Sequence, residues 1–108
     1  MSTHTTIRML NEYGCSWPFF GWDSALEQDD FPLPAELSDQ LLTWTRDFDM
    51  NYHEERGWPS VEHRNAAYRE GLRLAQVVQE AVGPDVEITF TFWETLVNGQ
   101  DLPLDLVS

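Results

Sequence analysis

The run from Ser60 to Trp93 limits the possible folds most, because within it the hydrophobic period changes once, from the helical value to the strand value. Between Val61 and Val82 the apolar side chains Val61, Tyr68, Leu72, Ala75, Val78 and Val82 recur at helical spacing, which predicts an amphipathic helix with a charged opposite face. Ser60 suits the N-cap, Glu62 lies where the helix dipole favours an anion, and Gly83-Pro84 ends the run. From Asp85 the period is two. Val86, Ile88, Phe90 and Phe92 then share one face and Glu87, Thr89 and Thr91 the other, so the segment reads as a strand with one dry side. A dry strand needs a cover, and the helix before it is the nearest candidate.

A second helix is expected from about Pro34 to Tyr52. Leu37, Leu41, Trp44, Phe48 and Tyr52 follow one another at spacings of four, three, four and four, with Pro34 at the first helical position. Glu36, Asp39, Gln40, Asp47 and Asn51 are left facing water. Only His53 to Pro59 links this helix to the one starting near Ser60, so the two are expected to pack as an antiparallel hairpin on one sheet face. Upstream, Thr5, Ile7 and Met9 alternate in a first strand, and Ser16 to Trp22 reads as an edge strand returning along it, since Pro18 is tolerated only at a sheet edge. Asn98-Gly99 signals a hairpin after the long strand.

These readings sum to one α+β domain over residues 1–108, a two-layer sandwich with a β-α-α-β core and a helical hairpin on a small sheet of two to four strands. Residues 1–4 and part of 94–108 are expected to be loose. A sheet covered on one side leaves long unpaired edges, which a homodimer would relieve. Leu102, Leu104 and Leu106 alternate with other residues in the tail, either as an edge strand or as an arm laid on a second copy.

Charge sets the class of partner. The formal net charge is −13, which disfavours direct binding to nucleic acid phosphates or an anionic membrane and favours a basic protein partner. The acids are lopsided: Asp23 to Glu55 holds ten of them against Arg46 alone, whereas the later helix is balanced by Arg64, Arg69 and Arg73. No apolar run is long enough to span a bilayer, residues 1–8 lack an apolar signal core, and Cys15 is a lone cysteine; a cytoplasmic protein without a disulfide is expected.

No catalytic or metal site, and no cofactor, is read from the chain. Cys15 lacks a neighbouring base and sits among acids that raise a thiol pKa, so it reads as a small packed side chain. His53-Glu54-Glu55 and Glu62-His63 flank one loop, yet lack the spacing that sets two ligands on one helical face and read as solvated charges. Glu27, Asp29 and Asp30 do not keep the register of a calcium loop. The aromatic segment is the strongest candidate for binding: Trp17, Phe20 and Trp22 as anchors, followed at once by Asp23, Glu27, Asp29 and Asp30 as steering charges.

In three stretches the chain resembles small acidic proteins of actinobacteria. They are Glu12-Tyr13-Gly14-Cys15-Ser16-Trp17-Pro18, then Leu33-Pro34-Ala35-Glu36-Leu37 with Trp44, and Gly71-Leu72-Arg73-Leu74-Ala75 leading to Gly83-Pro84-Asp85-Val86. The shared pattern covers most of the chain up to Trp93, and its motifs are structural, so it transfers no catalytic residue. Size and charge add a looser resemblance to immunity proteins and antitoxins. The resemblance and the acidity together imply a non-enzymatic binding protein, in its concrete form an immunity protein or antitoxin-like inhibitor docking on a basic toxin such as a nuclease. A homo-oligomeric structural or regulatory module is the alternative, and a metal- or Cys15-dependent enzyme the third.

Overall fold

The computed structural model describes residues 5–21 and 24–101. The chain runs β1 (Thr5–Met9), β2 (Phe19–Phe20), α1 (Ala35–Asn51), α2 (Val61–Val82), β3 (Val86–Phe90), β4 (Leu96–Val97) and β5 (Gln100–Asp101). Among the described residues the strands form a three-stranded sheet of order β2-β1-β3 and a two-stranded one, β4-β5, giving an α+β fold. β2 returns antiparallel along β1, with Met9 opposite Phe19. β3 lies parallel to β1, Ile7 opposite Ile88 and Met9 opposite Phe90. A parallel pair needs a long crossover, and both helices lie within it.

α1 follows its sequence pattern closely. Leu37, Leu41, Trp44 and Phe48 are all buried, as is Tyr52 at the C-cap. Pro34 is the N-cap rather than the first helical residue, so α1 starts one residue later than expected, and the Pro34 carbonyl accepts from Ser38 N. In α2 the capping signals hold: the Ser60 hydroxyl accepts from His63 N at 3.1 Å, and Gly83 forms the C-cap.

The expected apolar stripe of α2 holds at Val78, which is fully buried, and needs correction at Leu72. The buried residues are Arg64, Ala67, Gly71, Leu74 and Val78, while Leu72 is 44 % exposed. The cause is close packing. A Cβ at Gly71 would strike the Phe90 ring and come within 2.9 Å of Trp44, so the smallest residues mark the contact face. Large partly buried side chains flank it. Tyr68 meets Phe92 with centroids 5.1 Å apart.

The strand expected to run to Phe92 ends at Phe90, and its apolar face is half-buried rather than dry. Val86, Ile88 and Phe90 pack against a core of Ile7, Met9, Trp17, Phe19, Phe31, Leu37, Leu41, Trp44, Leu74 and Val78. A second buried cluster, Phe48, Tyr52, Trp58, Ala67 and Val97, joins the helix-connecting loop to the C-terminal hairpin. There Trp58 N donates to Leu96 O, Asn98 N to Trp58 O and Gly99 N to Arg56 O. The hairpin turn has Asn98 at φ +50° and Gly99 at φ +82°, the left-handed pair that suits a two-residue β-turn.

Both sheet edges carry hydrogen bonds of their own. Leu26 N donates to Phe19 O, so the chain after β2 covers the outer side of that strand. On the far side the Gln79 side chain stands in for a neighbouring strand: its Nε2 donates to Val86 O at 2.7 Å and its Oε1 accepts from Ile88 N at 2.9 Å. Gln79 Nε2 also reaches Gly83 O. Gln79→Ala therefore strips the β3 edge and the helix end together. The expected cost is about 1–3 kcal/mol, because these backbone groups lose their protein partner, read as a lower midpoint in chemical denaturation.

Candidate functional site: an acidic groove between the helices

The groove between α1 and α2 is built from two matching helical stripes. Asp39, Thr43 and Asp47 recur every four residues on α1, and Glu62, Ala66 and Glu70 do the same on α2. Pairing the helices sets these stripes along opposite walls of a cleft of about 820 Å³, which Gln40, Trp44, His63 and Ala67 complete. Small Ala66 and Ala67 keep the cleft open. Trp44 lies at its base, 4 % exposed, with its indole N–H donating to Ala67 O at 2.9 Å. That bond holds the ring across the helix pair.

Two side-chain bridges tie the helices together. His63 Nε2 lies 2.8 Å from Asp47 Oδ1, and the same oxygen accepts from Asn51 Nδ2. The His63 ring is stacked on Trp58, centroids 5.1 Å apart, so the imidazole is fixed from two directions. Arg73 donates to Gln40 Oε1 at 2.6 Å and forms a two-point pair with Glu70. The hydrogen bond from Arg73 holds the Glu70 carboxyl below its usual range. Asp39 and Glu62 are exposed carboxylates on opposite walls. The result is an apolar floor between two exposed acids, Asp39 and Glu62, beside two that are engaged by His63 and Arg73, a shape and charge suited to the aliphatic stem and cationic head of a lysine or arginine.

The residues predicted as a binding segment fall in different environments. Trp17 is a correction: it is 5 % exposed and belongs to the core, meeting Phe19 edge-on at 5.3 Å, so it offers no surface to a partner. Phe20 is half-buried, with the Arg8 guanidinium 6.0 Å from its ring centroid. Glu27, Asp29 and Asp30 are exposed, and the Asp30 carboxylate accepts from Glu27 N, which closes the turn there. Trp22, Asp23, Leu102, Leu104 and Leu106 lie outside the described residues. Cys15 is half-buried in a turn where its N–H donates to Glu12 O. His53 is exposed in the helix-connecting loop, while His63 is taken up by Asp47 and Trp58.

A family model described as Serratia CdiI immunity protein-like matches residues 5–92. The chain belongs to this family. Among curated proteins, none matches it. The match to the Serratia CdiI immunity protein-like family takes in β1 to β3 and both helices, so every residue lining the groove lies within it. It also takes in Phe20, Glu27, Asp29 and Asp30. Among the described residues no helix is long and apolar enough to cross a membrane.

Proposed function

We propose that this protein is a toxin inhibitor of the immunity type, which acts by binding rather than by catalysis and whose partner presents a basic surface. Family membership over residues 5–92 is the observation that carries this reading. The net charge of −13 and the acidic groove support the choice of a basic partner, a nuclease-type toxin being the concrete case. In this reading a lysine or arginine of the toxin enters between Asp39 and Glu62, lays its stem along the exposed Thr43 and Ala66, and is held by the surrounding carboxylates. Phe20, Glu27, Asp29 and Asp30 form a second acidic surface that steers approach, joined in the chain by Trp22 and Asp23.

A sheet-joining homodimer draws less support, because Gln79 already bonds the free edge of β3. The test begins with purification of the chain from its own cells under gentle conditions, with mass spectrometry of what accompanies it. The partner's toxicity is then measured with and without this chain. A stoichiometric basic protein whose toxic activity is abolished is the expected result. Recovery of the chain only as a defined homo-oligomer, or a partner whose activity is unaffected, would overturn the proposal.

A further inference from the structure

Asn11, just after β1, and Glu94, between β3 and β4, are 1 % and 0 % exposed and face each other across the fold. Asn11 Nδ2 donates to Glu94 Oε2 at 2.7 Å. Their two remaining side-chain oxygens, Asn11 Oδ1 and Glu94 Oε1, are buried and have no hydrogen-bond partner. The backbone around them is fixed: Trp93 Nε1 donates to Asn11 O at 2.6 Å and Trp58 Nε1 to Glu94 O at 2.9 Å. An ionised carboxylate only accepts, so it would leave two buried acceptors without a protein donor, each costly to bury. A protonated carboxyl has the one donor that the arrangement lacks.

We propose that Glu94 is carried as the neutral acid in a head-to-head pair with Asn11, in which Asn11 Nδ2 donates to Glu94 Oε2 and the Glu94 Oε1 hydroxyl donates to Asn11 Oδ1. The pair fastens the end of β1 to the segment leading into the C-terminal hairpin, and it is a pH-sensitive fastening. Burial pushes the Glu94 carboxyl up to about 7, against the lowering effect of hydrogen bonding from Asn11 and from the backbone N–H groups of Glu94 and Trp93, and the charge of Glu12 adds to the rise. Tyr13, from the turn after β1, and Tyr52, from the end of α1, both sense the Glu94 charge, and their own pKa values are raised chiefly by burial. From α2, Arg64 donates to Thr95 O and to Asn65 Oδ1. From β5, Asp101 adds a further carboxylate near Tyr52.

The sign follows from linkage. A carboxyl whose folded pKa lies above its unfolded value stabilises fully below the unfolded value, near 4.5, and that contribution is lost as pH rises to the folded value, about 7. From well below pH 4.5 to well above pH 7 the folding constant of the wild type should fall by about 300-fold relative to Glu94→Gln, roughly half of that ratio being reached at pH 7, since each pH unit between the two values is a factor of ten. The Gln side chain keeps both bonds to Asn11 without titrating, which isolates this group from the other acids. The experiment is chemical denaturation of both proteins between pH 4.5 and 8, with a ¹³C NMR titration of the wild-type Glu94 carboxyl. A variant that gains on the wild type as pH rises, and a carboxyl midpoint near 7 in the folded protein, are expected. Should Glu94→Gln not fold, the NMR midpoint decides alone. A midpoint near 4.5, the behaviour of an ionised carboxylate bridged to Asn11 by water, or a stability difference independent of pH, would overturn the pair.

Discussion

The double reversal Asp39→Lys and Glu62→Lys is expected to slow association with the toxin by about one to two orders of magnitude at low salt, and to flatten the salt dependence of the rate. These two acids are the ones to change. Asp47 and Glu70 also hold the helices, through His63 and Arg73, so reversing them would mix binding with folding. Asp39 and Glu62 are exposed, and the only structural charge effect at stake is Glu62 in the first turn of α2, worth about 0.3–1 kcal/mol. Stopped-flow association at several ionic strengths reads the effect directly. Reversal of Glu27 and Asp29 is the comparison. If those acids only steer, their reversal slows association but leaves dissociation unchanged, whereas loss of the groove acids speeds dissociation as well.

Gly57→Ala is expected to be the most damaging single substitution in the helix-connecting loop, at about 3–4 kcal/mol. Gly57 has φ +79°, which alone costs a residue with a Cβ about 1–2 kcal/mol. The added Cβ would also collide with the backbone and side chain of Leu96. To relieve that clash the chain must part where Trp58 N donates to Leu96 O, and the packing of Trp58 against Val97 goes with it. Gly99→Ala is the matched control. Its φ is +82° but a Cβ there meets nothing within 4 Å, so it should show the conformational cost alone, about 1–2 kcal/mol. Denaturation midpoints of the two variants separate strain from collision. Equal losses would show that the Leu96 contact is not rigid.

The contrast between the two helices explains how much of this fold was legible beforehand. α1 declares itself through five large apolar residues that all go inside, because it packs with bulk. α2 packs through Ala67 and Gly71 beside Leu74 and Val78, and a stripe drawn through large hydrophobic residues passes over the small ones, so it finds Val78 but places Leu72 inside in place of Leu74. The Asn98-Gly99 hairpin and the return of β2 along β1 were readable because each is fixed by local turn and edge chemistry. The parallel pairing of β1 with β3 was not, since it joins segments with both helices between them.

The groove was half legible. Its stripes of Asp39 and Asp47, and of Glu62 and Glu70, are visible as spacing in the sequence, but only the register of the helix pair sets them face to face. Asn11 and Glu94 gave no local signal, being 83 residues apart. Trp17 shows the opposite difficulty, because an aromatic beside a run of acids looks the same in sequence whether its ring faces the core or a partner.

The most direct test of the account is hydrogen–deuterium exchange of the chain with and without its bound toxin. The account predicts slowed exchange along the facing stretches Asp39–Asp47 and Glu62–Glu70, beyond their protection in the free protein, with a smaller effect in the turn from Glu27 to Asp30. Protection confined to residues 16–30 or to the C-terminal hairpin, with both groove walls exchanging as in the free chain, would contradict it.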